Sequence, residues 1–303
     1  MRTRRLGSSD LEVTVVGLGC NNFGGRTDEE ASRAVIDAAL DAGVTFFDTA
    51  DVYGNRGGSE EIIGRALAGR RDRVVLATKF GHDLGDGQTA RGSRTYIRKA
   101  IEASLRRLQT DRIDLYQYHR PDGVTPIEET LGALHELVQE GKVRAIGSSN
   151  FTAAMVEEAH SVAAQHELTP YVSEQSEYSW LSRGAEGELL PACERFGVGF
   201  IPYFPLASGL LTGKYRRGEP PPAGTRLHGR ELDEAKLDRV ERLEAFASER
   251  GATLLEFAIG GLLAQPSVAS VIAGATKPAQ VRENAEAGRW EPSDEDLAAL
   301  RSL

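Results

Sequence analysis

Phe47-Asp48-Thr49-Ala50-Asp51-Val52-Tyr53-Gly54 sets an acid and a phenol at and just beyond the end of an apolar run that begins at Val44. A short apolar run bounded by turn residues reads as a buried strand. Two further runs end in the same way. Val74-Val75-Leu76-Ala77-Thr78 closes on Lys79, and Ile113-Asp114-Leu115-Tyr116-Gln117-Tyr118 closes on His119. Strands that alternate with helices pack side by side and bring their C-terminal ends to one face. Asp48, Tyr53, Lys79 and His119 are therefore expected to share one cleft.

The same rhythm runs outward in both directions. Leu6 to Leu11 reads as a hairpin turn, and Val13 to Gly19 as the first buried strand. Strands follow at Val44 to Asp48, Arg73 to Lys79, Ile113 to His119, Val143 to Ser148, Tyr171 to Glu174, Gly199 to Tyr203 and Ser270 to Ile272. Helices are expected between them at Thr27 to Ala42, Ser59 to Leu67, Thr95 to Leu108, Ile127 to Gln139, Ala153 to His166, Leu189 to Phe196 and Lys236 to Arg250. Thr253 to Ala264 reads as an extra helix, Lys277 to Ala287 as the last crossover and Asp294 to Arg301 as a tail helix. Eight strands, each followed by a helix, with no linker between halves, fit an α/β fold of the (β/α)8 TIM barrel type in one domain over residues 1–303. A doubly wound sheet competes, but the even eightfold rhythm favours the barrel. Leu206 to Glu234 is a long loop after strand seven, where Pro220-Pro221-Pro222 forbids a helix. Such a loop at the active face of a barrel is usually a lid or a binding loop.

Composition narrows the function. The chain is 40% hydrophobic and 27% charged, as globular proteins are, and its net charge of −9 argues against a nucleic-acid partner. No run approaches the roughly 18 apolar residues of a membrane span. Cys20 and Cys193 form neither a metal-ligand spacing nor a disulfide framework, so no metal is expected and a reduced cytoplasmic setting fits best. The oligomeric state stays open.

The four strand-end groups suit proton transfer. A tyrosine hydroxyl, with an ordinary pKa of about 10, is a poor acid at neutral pH. An ammonium about 4 Å away, at an effective dielectric of about 20, favours the phenolate by about 4 kcal/mol. That would bring the phenol's pKa down by as much as about 3. Asp48 would keep Lys79 charged, and His119 would hold a substrate carbonyl. Each residue alone has an ordinary reading as an ion-pair or buried side chain. Their joint placement at strand ends is what points to catalysis.

Gly17-Leu18-Gly19, the Phe47 to Gly54 phrase, Thr78-Lys79-Phe80 and Tyr118-His119-Arg120-Pro121-Asp122 resemble the aldo-keto reductase superfamily. So do Ile146 to Asn150, Pro205 to Lys214, Gly274-Ala275-Thr276 and Asn284, in order along nearly the whole chain. The bacterial branch related to potassium-channel β-subunits is the most similar in flavour. The resemblance implies a carbonyl reductase that uses NADP(H), with NAD(H) as the alternative, and a small-molecule carbonyl substrate. It makes Tyr53 the acid and Asp48, Lys79 and His119 its partners.

The resemblance also supplies a cofactor site. Gly17 to Asn22 lacks the third glycine of a dinucleotide-binding G-x-G-x-x-G, so Gly19, Cys20 and Asn21 read as a rim turn that would touch the cofactor beside Asp48. Ser149, Asn150 and Gln175 would hold the carboxamide, and Tyr203 would stack on the nicotinamide. Phe204, Pro205, Leu206, Ala207, Ser208 and Gly213 would also bind the cofactor. Lys214 and Arg226, in the long loop, would meet its charge. Gly274 and Thr276 precede a helix N-terminus suited to a phosphate, and Gln280, Glu283 and Asn284 match adenosine-contacting positions. Relatives often carry Lys or Arg near Gly274 or Gln280 for the 2′-phosphate. This chain does not, which leaves that preference to Lys214, Arg226 and Lys277.

Phe23, Phe80, His82, Arg120 and Trp180 follow strand ends and are expected to line the substrate mouth with Tyr53 and His119. Other functions compete. The same reductase could run oxidatively as a sugar or alcohol dehydrogenase. A strand-end lysine also suits a Schiff-base aldolase, although a charged, paired lysine is a weak nucleophile. A redox-sensing nicotinamide-binding subunit is the third reading, and the intact His119 favours catalysis over it.

Overall fold

The computed structural model describes residues 1–302. Two short strands, β1 (Thr3–Arg5) and β2 (Glu12–Thr14), pair antiparallel as a hairpin. Eight parallel strands follow in the order of a curled sheet: β3 (Val16–Gly19), β4 (Phe46–Asp48), β5 (Val75–Phe80), β6 (Ile113–Tyr118), β7 (Val143–Ser149), β8 (Ser173–Gln175), β9 (Gly199–Phe200) and β10 (Val271–Gly274). Strand β10 pairs with β3, Val271 opposite Val16. The sheet closes on its other edge through the segment before β10. Phe200 N donates to Ser267 O at 2.7 Å, and Ala269 N donates to Phe200 O at 2.9 Å. The fold is the expected (β/α)8 barrel.

Helices α1 (Glu29–Asp41), α2 (Tyr53–Ala66), α3 (Arg94–Leu108), α4 (Ile127–Gln139), α5 (Ala153–Gln165), α6 (Leu189–Phe196), α7 (Glu234–Glu249), α8 (Leu254–Leu263), α9 (Pro278–Ala287) and α10 (Asp294–Ser302) surround it. Several begin where side chains satisfy the free amides of the first turn. Asp28 accepts from Ala31 N, Ser93 from Tyr96 N, Thr152 from Met155 N and Asp233 from Lys236 N.

Alternation along the strands gives the sheet two faces. Outward residues such as Phe47, Leu76, Tyr116 and Ile146 pack under the helices. Inward residues Phe46, Ala77, Leu115 and Ala145 form a separate apolar floor, completed by Leu6, Leu11 and Val13 of the hairpin. Two residues further along β4, β5 and β6 the inner face turns polar with Asp48, Lys79 and Gln117, and Gln175 of β8 is buried beside them.

Several strand ends shift by one or two residues from the sequence reading, and three differences are larger. The run Val13 to Gly19 is divided, because Glu12–Thr14 folds back onto β1 and only Val16–Gly19 joins the barrel. Strand β9 stops at Phe200 and not at Tyr203, since Pro202 has no N–H for a ladder. The helix expected from Ser59 is preceded by a left-handed turn, Gly54, Asn55, Arg56 and Gly57, all with φ between 60° and 111°.

Candidate active site

The parallel register assembles the polar layer. Gly19 lies opposite Asp48, Asp48 opposite Ala77, Lys79 opposite Gln117, and Ser149 opposite Gln175. Lys79 Nζ donates to Asp48 Oδ2 at 2.6 Å and to Thr49 O at 2.9 Å, with both side chains buried. The other carboxylate oxygen, Asp48 Oδ1, accepts from Gln117 Nε2 at 3.1 Å and from Gln175 Nε2 at 2.9 Å. A buried carboxylate is thus met by one ammonium and two amides, as its desolvation demands.

Tyr53 stands above this cluster. The Lys79 ammonium lies 5.2 Å from the ring centroid, and the His119 ring meets Tyr53 edge to face at 5.9 Å. Burial pushes the phenol above its ordinary value. Lys79 pulls it down, Asp48 raises it, and the net direction is upward. The sequence expectation of a phenol brought down by its lysine is corrected here: in this setting desolvation outweighs the ammonium. Burial also lowers the Lys79 ammonium, but Asp48 and Tyr53 more than offset it, and the net shift is upward. Burial, then Lys79, His82 and Arg120, hold His119 well below the usual imidazole range, so it is neutral at pH 7. Its Nδ1 is buried without a hydrogen-bond partner.

Above the Asp48–Lys79 pair lies a cleft of about 790 Å³. Asp48, Tyr53, His82, His119 and Arg120 form one end of it. Ser149, Asn150, Gln175 and Tyr203 continue the wall as a chain of hydrogen bonds. Ser149 Oγ donates to Gln175 O at 2.7 Å, Asn150 Nδ2 to His119 O at 2.9 Å, and Tyr203 Oη to Asn150 Oδ1 at 2.9 Å. Gly19, Cys20 and Asn21 face the cleft, as do Phe204, Pro205, Leu206 and Ser208 of the stretch after β9. Ala207 and Gly213 belong to the same turn but stand back from the cleft wall. Asn150, Phe204, Ala207 and Ser208 all have φ between 46° and 60°. Left-handed backbone at non-glycine residues costs free energy and gathers at ligand sites.

At the far end, Lys214, Arg226 and Arg26 converge. Arg226 donates to Asn22 Oδ1 at 3.0 Å, and Arg26 donates to Gly224 O at 2.9 Å, tying the β3–α1 loop to the long loop. The Lys214 ammonium packs against Gly209, where a Cβ would meet it at 2.6 Å. Burial, then mutual repulsion, lowers Lys214 and Arg226, and among the described residues none of the three is paired with a carboxylate. Converging cations without counter-charges at a cleft wall suit an anionic ligand such as a diphosphate. Gly274, Thr276, Lys277, Gln280, Glu283 and Asn284 line this end too. Just before α9, Gln280 Oε1 accepts from Thr276 N at 2.8 Å and Lys277 N at 3.2 Å, so these two amides are already engaged.

Three expected mouth residues lie elsewhere. Phe80 is buried and stacks between Tyr116 at 4.8 Å and Tyr118 at 5.1 Å on the outer face of the sheet. Trp180 packs against Phe257 under α8, and Phe23 is buried in the outer core. Adjacent strand residues point to opposite faces, so Phe80 cannot share the direction of Lys79. Conversely, sequence reasoning missed Gln117, Arg26 and Asn22. Gln117 was discoverable, because it stands two residues before His119 on the same strand and so shares its inner face. Arg26 and Asn22 lie in a loop without periodicity and carried no such signal.

With this geometry in place, the comparisons are informative. The family model described as "Aldo/keto reductase family" matches residues 15–303. A rice (Oryza sativa subsp. japonica) protein named "Probable voltage-gated potassium channel subunit beta" is 40% identical, over 95% of this chain and 91% of its own length. The Arabidopsis thaliana protein of the same name is 37% identical over the same shares. The "Uncharacterized oxidoreductase YrpG" of Bacillus subtilis (strain 168) is 40% identical over 98% of this chain and 94% of its own.

Proposed function

The chain belongs to the aldo/keto reductase family and is an NAD(P)H-dependent oxidoreductase, and from that premise we propose that it reduces aldehydes or ketones to alcohols. The observation that carries this reading is the buried Asp48–Lys79 pair set directly under the Tyr53 phenol and beside a neutral His119. Bound in the cleft, the nicotinamide cofactor supplies the hydride to the carbonyl carbon. Tyr53 gives its proton to the carbonyl oxygen as the alcohol forms, and the phenolate takes a proton back from solvent. Lys79 stabilises that phenolate, and Asp48 keeps the ammonium charged and aimed. A neutral imidazole at His119 can donate a hydrogen bond to the carbonyl oxygen without putting a full charge beside Lys79. The upward shift of the phenol keeps it protonated at neutral pH, which suits an acid in the reductive direction.

Ser149, Asn150, Gln175 and Tyr203 would hold the nicotinamide end, and Arg26, Lys214 and Arg226 the diphosphate. His82, Arg120 and Phe204 remain at the mouth for the substrate. A Schiff-base aldolase fits poorly, because Lys79 is buried, paired and held charged. Two buried free thiols, Cys20 and Cys193, agree with a reduced cytoplasmic setting. Among the described residues no helix is long and apolar enough to cross a membrane.

The test is steady-state oxidation of NADPH and NADH with a simple aromatic aldehyde. Turnover with either cofactor supports the reading, and none with both rejects it. NADPH is expected to bind more tightly, by about ten- to a hundredfold for one charge-assisted contact of about 1.5–3 kcal/mol. Equal binding, lost equally in Lys214→Ala, would make this a dual-cofactor enzyme.

A further inference from the structure

A second ionisable cluster lies in the layer between the sheet and helices α2 and α3, and the reaction above leaves it without a role. Glu60 of α2 is fully buried. Its Oε1 accepts from Thr78 Oγ1 at 2.6 Å, and its Oε2 accepts from Arg107 Nε of α3 at 2.6 Å. Thr78 is the neighbour of Lys79. Arg107 packs against Gly57 (φ 111°), where a Cβ would meet its side chain at 2.5 Å. The Glu60–Arg107 pair therefore braces both the strand that carries Lys79 and the left-handed turn that follows Tyr53.

Asp51 is the unexplained member. It lies between Asp48 and Tyr53, and its N–H donates to Lys79 O at 3.1 Å. Its side chain is 4% exposed, and Oδ1 has no hydrogen-bond partner. The Tyr116 hydroxyl of β6, also buried, lacks a partner as well. The charges do not balance. Asp48, Asp51 and Glu60 are three carboxyls, while Lys79 and Arg107 are two cations. Asp48 takes Lys79 and Glu60 takes Arg107, which leaves Asp51 without a counter-ion in a desolvated site. Such a group keeps its proton.

We propose that Asp51 is a positioning residue that stays protonated while the enzyme works, and that its ionisation sets a second negative charge beside Lys79 and slows reduction. This rests on the reading of Tyr53 as the acid. The groups that face Asp51 are Glu60 from α2, Arg107 and Tyr96 from α3, Lys79 from β5 and Tyr116 from β6. Burial and then Glu60 push its carboxyl up to about 8, against the pull of Arg107, Lys79 and the Val52 amide. Above that pH the new carboxylate raises Lys79 and the phenol further, and Tyr53 becomes a weaker donor. The phenol's own ionisation lies higher still, so the two steps separate on a pH profile. Because Asp51 does not line the cleft, kcat should fall while KM for the carbonyl holds.

The experiment is a carbon-13 titration of the full chain labelled at aspartate carboxyls, with and without NADPH, beside the pH profile of kcat. The signal lost in Asp51→Asn is expected to titrate near pH 8. The parent's kcat should fall about three- to tenfold across that step. Asp51→Asn should keep kcat within about threefold below it and lose the step. Asp51→Glu removes the same signal and keeps the step, and it serves if the asparagine variant does not fold. An Asp51 signal in the ordinary aspartate range, or a step that persists in Asp51→Asn, overturns the proposal. The carboxyl titration needs no turnover, so a chain that reduces no carbonyl would defeat the functional reading alone.

Discussion

A phenol hemmed in by protein parts with its proton reluctantly, and Tyr53 is poised between that burial and the pull of Lys79. General acid catalysis typically contributes about 10² to 10⁴ in rate. Tyr53→Phe should therefore lower kcat at least about 100-fold while NADPH affinity, read by fluorescence titration, stays nearly unchanged. A variant as active as the parent would remove Tyr53 from the chemistry. That Asp48, Tyr53, Lys79 and His119 come together was readable from their places at or just beyond strand ends, since register needs only the ends of three runs. The sign of the phenol's shift was not readable. It depends on how much protein surrounds the hydroxyl, a three-dimensional quantity, and pairwise charge arithmetic alone gave the opposite direction.

At the scale of elements, the left-handed turn between Tyr53 and the body of α2 costs conformational free energy. Arg56 has φ 70° and an exposed side chain, a backbone state that only glycine adopts freely. Arg56→Gly should raise unfolding free energy by about 0.5–1 kcal/mol, seen as a higher urea midpoint. A lower midpoint would mean that its side chain holds the turn. Gly54, Asn55 and Gly57 tolerate such a turn, but nothing in Arg56 announces it. The eight strands and their helices were legible from apolar runs and caps. The ends of β9 and the mouth aromatics were less so. Pro202 marked the end of the ladder, and the step from Lys79 to Phe80 marked a change of face, but Trp180 follows β8 through a loop that has no period to read.

For the whole molecule, the hairpin is the piece that completes the barrel. Leu6 is wholly buried among Phe46, Ala77, Leu115 and Ala145. Leu6→Ala should cost about 2–5 kcal/mol of stability, while kcat of the folded fraction holds, because Leu6 packs in the apolar floor and does not line the cleft. A large loss of kcat with intact stability would show that the floor reaches the chemistry. Stability should also depend on pH through two buried carboxyls, Asp51 at about 8 and Glu174 at about 7, both raised chiefly by burial. Their folded values exceed their unfolded ones, so their contribution is fully present below about pH 4. It is lost as pH rises through about 7 and about 8. Unfolding free energy should thus be lower at about pH 9 than at about pH 6, by a few kcal/mol in order of magnitude, seen as a lower urea midpoint; an unchanged midpoint would contradict the assignment of both groups. The plugged floor also sets the traffic. With the floor filled among the described residues, the proposed dinucleotide and carbonyl would both enter from the strand-end side, and whichever lodges deeper would arrive first and leave last. Product inhibition should then show an ordered queue, with the alcohol departing ahead of the spent dinucleotide.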